Sequence, residues 1–391
     1  MPRRGGGRLS GDAKRILGVQ ALRAFAYGLG SVLIGVSLER EGLSGPVVGL
    51  VLGSLLAGSA IVSVLLARFG DRLGRRRTYL VLLALMGVAG AVFALTTWPP
   101  ALVLAALTGT VSTDVVESGP LTSLEQAMLA HVPGDTTRLF GTYNTVATLA
   151  GSLGALAAAG PTLLGAGPQR LLLAYPLVAV LALTFAARLS RAVERDESPL
   201  DLPPLHRSRG IVRRLSALFA LDSFGGGFVV HAFLAYWLAR RFDASPELLG
   251  VVFFAVGILQ ALSFQASVRL AGRIGLLRTM VFTHLPSNLL LAAVALSPNL
   301  ETAIALLLAR FALSQMDVPA RQAYVVAVVD PSERTAAAAY TNAARYAVRP
   351  IAPLVAGAVL GGAVGAPFVI AGALKSAYDL GLYALFRRTR V

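Results

Sequence analysis

The sequence carries ionisable side chains where a water-soluble fold would not tolerate them, inside long apolar runs: Arg23; Asp114, Glu117 and Glu125; Asp222 and His231; Arg310, Asp317 and Arg321; Arg345 and Arg349; Lys375 and Asp379. A charge at bilayer depth costs about 2.5–3.5 kcal/mol on insertion scales. Each therefore needs a counter-charge, a wet cavity or a passing ion. Asp114 and Glu117 stand three residues apart, which puts them on one face of a helix. Two close carboxylates raise the proton affinity of at least one of them, the property of a proton carrier; alternatively, one of the two faces the loops. His231 is a second candidate relay, because imidazole titrates near neutral pH, or else a hydrogen-bonded packing residue. Asp317 and Arg321 have the i, i+4 spacing of an intrahelical pair, and Arg345 and Arg349 repeat that spacing. These four give one wall a basic character, with Asp317 as counter-charge, unless the arginines pair with the acids near residue 114. Lys375 and Asp379, again i, i+4, are expected to pair with each other. Glu125, close to the end of its run, reads as a solvated or latch residue.

Other chemistries are missing. There is no cysteine, so disulfides and thiolate metal sites are excluded. No G-x4-G-K-[ST] loop, H-E-x-x-H pair or G-x-S-x-G elbow occurs, so neither ATP hydrolysis nor an enzyme activity is expected, and no cofactor. The net charge of +15 raises the question of nucleic acid. The basic residues are almost all arginines in short segments between apolar runs, with Lys14 and Lys375 the only lysines. That is a membrane pattern, and no nucleic-acid role is expected.

The elements that must position these groups are transmembrane helices. The chain is 55% hydrophobic and only 14% charged, against about a quarter charged in soluble domains. About 20 apolar residues span the hydrocarbon core. Twelve runs qualify, at 15–39, 46–68, 78–97, 101–130, 138–163, 169–188, 213–239, 246–270, 277–297, 302–329, 336–362 and 366–386. With both termini cytoplasmic, 25 basic residues fall on the cytoplasmic side, against Arg40, Arg170, Arg240 and Arg241 outside, which satisfies the positive-inside rule. The basic start at Met1–Arg8 leads into a run without a small-residue cleavage site, so that run reads as a retained helix. The one long polar stretch, residues 190–212 with Pro199, Pro203 and Pro204, reads as a cytoplasmic linker between a bundle at 1–189 and another at 213–391.

The two bundles are related. At an offset of about 200 residues Arg23 aligns with Asp222, Gly49 with Gly250, Arg72 with Arg273, Gly74 with Gly275, Pro120 with Pro319 and Asn144 with Asn342. Parallel repeats of this kind enclose a central cavity that rocking exposes to each side in turn. The symmetry sets Arg23 and Asp222 on facing sides of it. They are expected to form a pair that makes and breaks as the halves rock, or a static pair joining the first and seventh helices.

The loop Ala67-Arg-Phe-Gly70-Asp71-Arg72-Leu-Gly74-Arg75-Arg76 resembles the signature G-x-L-A-D-R-x-G-R-R between helices 2 and 3 of the major facilitator superfamily. Its repeat-related copy, Leu270-Ala-Gly272-Arg273-Ile-Gly275, keeps the frame but has Gly272 in place of the acid. Resemblance covers essentially the whole chain. It implies an all-α fold of twelve transmembrane helices in two pseudo-symmetric six-helix bundles. The function it implies is secondary active transport by alternating access. The loop reads as a cytoplasmic latch, with Asp71, Arg72, Gly74, Arg75, Arg76, Arg138, Arg273 and Arg334 as its residues, or as a plain positive-inside anchor. Gly151, Gly154, Gly160, Pro161 and Gly165 form a degenerate version of the family antiporters' helix-5 motif. The antiporters' helix-4 arginine is absent at Leu107-Thr108-Gly109, and an arginine stands instead on repeat-related helix 10, at Arg310.

The expectation is thus a monomeric, multi-pass transporter of the cell (inner) membrane, drug- or metabolite-efflux-like and prokaryotic, exporting a small organic compound in exchange for protons drawn from the proton gradient. Its proton-coupling residues would be Asp114, Glu117, Asp222 and His231. Its substrate would meet Arg23, Asp222, Asp317, Arg321, Arg345 and Arg349. The alternative is uptake or exchange of an anionic metabolite through an arginine-lined cavity.

Overall fold

The structure is a computed structural model; it describes residues 10–114, 119–129, 136–160, 167–194 and 205–389. All regular structure among them is helical. The first half comprises α1 (Gly11–Arg40), α2 (Gly45–Leu73), α3 (Arg75–Leu95), α4 (Pro99–Leu107), α5 (Pro120–Leu129), α6 (Thr136–Ala157) and α7 (Ala174–Ala186). The second comprises α8 (Arg209–Gly227), α9 (His231–Phe242), α10 (Pro246–Ile274), α11 (Leu276–Val294), α12 (Leu300–Ser314), α13 (Asp317–Ala327), α14 (Arg334–Val348), α15 (Ile351–Val359) and α16 (Ala366–Phe386). Local signals set several ends. Ser10 accepts the Ala13 N–H at the start of α1, and Asn299 accepts that of Thr302 at the start of α12, each an N-cap. Gly74 and Gly275 turn α2 into α3 and α10 into α11 with φ of 82° and 85°, a region glycine enters without steric cost. The aligned glycines thus do the same work in both halves.

Eight stretches among the described residues are long and apolar enough to cross a membrane. The four remaining expected spans have physical reasons for falling short. The run at 101–130 is interrupted between α4 and α5, and that at 336–362 is split at Arg349-Pro350, where proline removes a helical donor. The run at 277–297 holds Arg278, His284, Pro286 and Asn288 in a helix of 19 residues. Part of the run at 138–163 lies outside the described residues, as do 195–204 of the linker.

The halves meet on the side where α1 ends. There Gly35 of α1 lies against the Ala232 backbone of α9, Gly45 and Gly49 of α2 against Gly357 of α15, and Gly250 of α10 against Ala155 of α6. A Cβ at these positions would collide with main chain; only small residues let helices approach this closely. Between the halves is a cavity of about 240 Å³, whose lining reaches exposed Gln322 on the side where α1 begins.

Arg23 does not face Asp222. Its guanidinium is buried in the first half and binds Glu125 in a two-point pair, Nη2 to Oε2 at 2.7 Å and Nε to Oε1 at 3.2 Å. It also bonds Gln20 and, at 3.1 Å, Thr122. Tyr79 and Tyr143 donate to the same carboxylate at 2.7 and 2.5 Å. Glu125, at 0% exposure, is therefore neither solvated nor a latch residue. It is the partner that Arg23 needs to be tolerated in the membrane.

At the linker's far end, Glu333 accepts backbone N–H bonds from His206, Arg207 and Ser208 at 2.7, 2.9 and 2.8 Å. These bonds, that from His206 foremost, hold its pKa down to about 2 from 4.5. A group so depressed contributes stability that is fully present above pH 4.5 and is lost as pH falls toward about 2. Glu333→Gln should lower the melting temperature at neutral pH, with a gap to wild type that narrows steadily below about pH 5. For the Arg23 pair, removing either partner strands a buried charge. Arg23→Met or Glu125→Leu alone should cost about 3–5 kcal/mol, and the double variant less than either. A cycle pairing Arg23 with Asp222 should show no coupling, as read by thermal unfolding.

Candidate functional site

Four expected spans are broken where they pass the cavity, and the breaks carry several of its charged groups, among them Asp114, Asp317 and Arg349. The span containing α4 and α5 stops at Leu107. Gly109 follows with φ of 67°, packed so tightly on Gly58 that a Cβ would lie 2.6 Å from that residue's carbonyl carbon. The chain then runs without helical structure to Asp114. Asp114 itself is not on a helix; Glu117, with which it was expected to share a helical face, lies outside the described residues. The seventh span breaks after Gly225-Gly226-Gly227 and resumes at His231; the tenth breaks between Ser314 and Asp317; the eleventh breaks at Arg349. Irregular backbone at membrane depth is tolerated where it lines a cavity.

Asp114 is the residue on which the halves converge. One carboxylate oxygen pairs with Arg349 Nη2 at 2.8 Å and the other meets His231 Nδ1 at 2.9 Å. Both partners belong to the second half. His231 is thus no isolated packing residue: it joins this bridge and stacks on Phe311, with ring centroids 5.5 Å apart.

A second cluster lies wholly in the second half. Asp222 meets Lys375 Nζ at 2.5 Å, Arg321 Nη1 at 3.3 Å and His284 Nε2 at 3.7 Å. Arg321 is shared with Asp317 at 3.2 Å, so the expected i, i+4 pair is present but not exclusive. Lys375 does not pair with Asp379. Lys375 points to Asp222 because Asp379 is taken by His284 at 2.9 Å and by Asn288 at 2.8 Å. His284 was not among the sequence candidates; the signal for it was the i, i+4 pair His284 and Asn288 within an otherwise apolar run.

Of the expected substrate residues, Asp222, Asp317, Arg321, Arg345 and Arg349 line the cavity, and Arg23 does not. Arg310, Lys375 and His284 line it as well. Three carboxylates (Asp114, Asp222 and Asp317) face five permanent cations (Arg310, Arg321, Arg345, Arg349 and Lys375), so the wall is basic by two charges. Of the five cations lining the cavity, Arg310 and Arg345 have no ion pair among the described residues.

Of the latch residues, the side chains of Asp71, Arg72 and Arg138 lie outside the described ones. The backbone N–H groups of Arg75 and Arg76 bond Glu194, at the start of the linker, at 2.7 and 3.1 Å. Arg334 bonds the Val326 carbonyl at 3.1 Å, and Arg273 is exposed.

The comparisons with known proteins agree with this architecture. The family model described as Major Facilitator Superfamily matches residues 16–313. An uncharacterized membrane protein of Saccharomyces cerevisiae, YJR124C, is 26% identical over 422 residues, covering 96% of this chain and 94% of that protein. The nucleoside transporter NupG superposes with a TM-score of 0.77 at 14% identity, covering 97% of this chain and 100% of that one. A D-xylose-proton symporter gives 0.74 at 16% identity, covering 95% and 97%. With helices broken around a charged central cavity, two sealed-together halves and a family match over most of its length, the chain belongs to the major facilitator superfamily: it is a multi-pass membrane transporter, not an enzyme.

Proposed function

We propose that this transporter couples the movement of a small organic solute to protons by alternating access, with residues 1–189 and 213–391 as the rocking bodies and 190–212 as their linker. The observation that carries the reading is the Asp114 bridge, a carboxylate of one half held by Arg349 and His231 of the other. Asp114 sits at the inner end of the sealed contact, on the cavity wall. With both termini cytoplasmic in the cell membrane, the seal is extracellular and the cavity faces inward.

Protonating Asp114 removes the charge that Arg349 answers. Removing one charge of a buried pair costs about 3–5 kcal/mol. A bias of that size changes a two-state ratio by about 100-fold to a few thousand-fold, enough to release the seal. The charged or titratable groups facing Asp114 in the described residues are Arg349 and His231, so their release is the electrostatic content of the switch.

The direction of coupling follows from the charge balance of the wall. While Asp114 is ionised it offsets part of the wall's positive charge; once it takes a proton, the wall is more basic by one charge and attracts an anionic solute more strongly. Proton and anion then bind together, which favours the second of the two sequence readings, uptake or exchange of an anionic metabolite, over proton-driven export. The glycines of α6 add nothing to the export reading, because Gly151 and Gly154 pack against the backbone of Gly28 and Phe25 of α1.

Proteoliposomes holding the pH dye pyranine, challenged with membrane-impermeant organic anions under an imposed pH gradient, test this. Solute entry should acidify the lumen in wild type. Asp114→Asn should retain solute exchange but lose gradient-driven accumulation by at least about tenfold. Accumulation in Asp114→Asn equal to wild type would remove Asp114 from the coupling.

A further inference from the structure

We propose that the cavity is a binding site for an organic anion with an apolar or aromatic body, its acidic group held by Arg310 and Arg345. The proposal rests on the cavity being the transport site. It names what the site takes and the residues that take it, which differ from those the sequence indicated.

The charges of the wall are answered unequally. Asp114 is occupied by Arg349 and His231, Asp222 by Lys375 and Arg321, and Asp317 by Arg321. Every carboxylate on the wall has a cation within about 3.2 Å, and the one acidic oxygen without a hydrogen bond, Asp317 Oδ2, is still ion-paired with Arg321. Arg310 is the opposite case. It is 7% exposed, lines the cavity, and its Nε and Nη1 have no hydrogen-bond partner. Buried donors are costly to leave unmade, and a guanidinium in the membrane doubly so. Arg345 also lines the cavity with its Nε unsatisfied. A guanidinium's planar fork of donors matches a carboxylate, sulfonate or phosphate, and two such forks match the two-charge excess of the wall.

The rest of the lining is of another character. Phe253, Phe264, Phe311 and Val256 face the same space. Arg310 lies over the Phe311 ring, 4.5 Å from its centroid, so the acidic group would sit at the edge of an aromatic surface that receives an apolar body. A volume of about 240 Å³ lies below the range of about 300–1,000 Å³ typical of drug-sized sites, which favours a compact metabolite. The site is also joined to the gate: Phe311 stacks on His231, and His231 bonds Asp114. A solute seated on Arg310 therefore presses on the groups that hold the halves together.

The test is differential scanning fluorimetry of the purified full chain with benzenesulfonate, phenyl phosphate and phthalate. Inorganic sulfate, neutral benzenesulfonamide and cationic benzylammonium are the comparison arms. The aryl anions should raise the melting temperature in a saturable way, sulfate should act at least tenfold more weakly, and the neutral and cationic compounds should do nothing. Arg310→Gln and Arg345→Gln should each weaken the aryl-anion response at least tenfold, and Arg310→Lys less than Arg310→Gln. A second readout needs no ligand: Arg310→Met should melt higher than wild type when unliganded, because it removes an unanswered buried charge. A lower melting temperature for Arg310→Met would make Arg310 a structural residue and overturn the assignment. So would stabilisation by benzylammonium, responses undiminished in both glutamine variants, or no response to any aryl anion. Arginine-dependent binding without pyranine-detected flux would sink the transport reading and leave this one standing; flux carried by neutral solutes alone would do the reverse.

Discussion

Placing an ionised side chain in a hydrocarbon slab costs a few kcal/mol unless something inside the protein answers it, and the interior of this chain is organised around such answers. In the first half, Arg23 is matched by one carboxylate that is itself held by two tyrosine hydroxyls. In the second half, Asp222 gathers a lysine, an arginine and a histidine. The repeat aligns Arg23 with Asp222, so the same helix position carries opposite signs in the two halves. Each sign is answered locally, the cation by an acid on α5 and the acid by cations on α13 and α16. What remains is a bridge between halves at Asp114 and, on the cavity wall, two arginines with no ion pair among the described residues.

That economy explains why the helices break where they do. A continuous helix satisfies its own backbone and offers only side chains to the cavity. The interruptions at Gly109, at Phe228–Val230, at Gln315-Met316 and at Arg349-Pro350 put Asp114 in non-helical backbone and His231, Asp317 and Arg349 at or beside helix ends, where geometry is free to bring groups from different spans together. The same breaks leave α4, α5, α9 and α15 short. Those helices rely on packing rather than propensity for their stability, and two of them carry the inter-half seal: α9 against Gly35 and α15 against Gly45 and Gly49.

Much of the fold was legible in the sequence because it depends on long-wavelength signals. Apolar runs, arginine asymmetry and the offset repeat gave an all-helical two-bundle membrane fold, and aligned Gly74 and Gly275 adopt the same conformation. The site was legible as a set of residues but not as a set of partners. Asp317–Arg321 was readable since it is local on one helix. Arg23–Glu125 was not, because the repeat argument supplies symmetry and says nothing of which neighbour is nearer. Lys375–Asp379 failed for a related reason: i, i+4 spacing permits a pair, but His284 and Asn288 compete for Asp379 from another helix. Asp114 was expected within an unbroken helix, whereas Gly109 marks an interruption ahead of it.

The central claim is that the Asp114 charge holds the two halves in the arrangement seen here. Because the chain has no cysteine, spin labels can be set without background at Asn144 of α6 and Gln322 of α13, exposed positions in the two halves. Pulsed electron resonance between them reads the spacing of the halves in liposomes. The account predicts that Asp114→Asn moves the distribution to shorter distances at neutral pH, and that lowering the pH moves wild type the same way while leaving the variant unchanged. A distribution that Asp114→Asn leaves identical to wild type would contradict it.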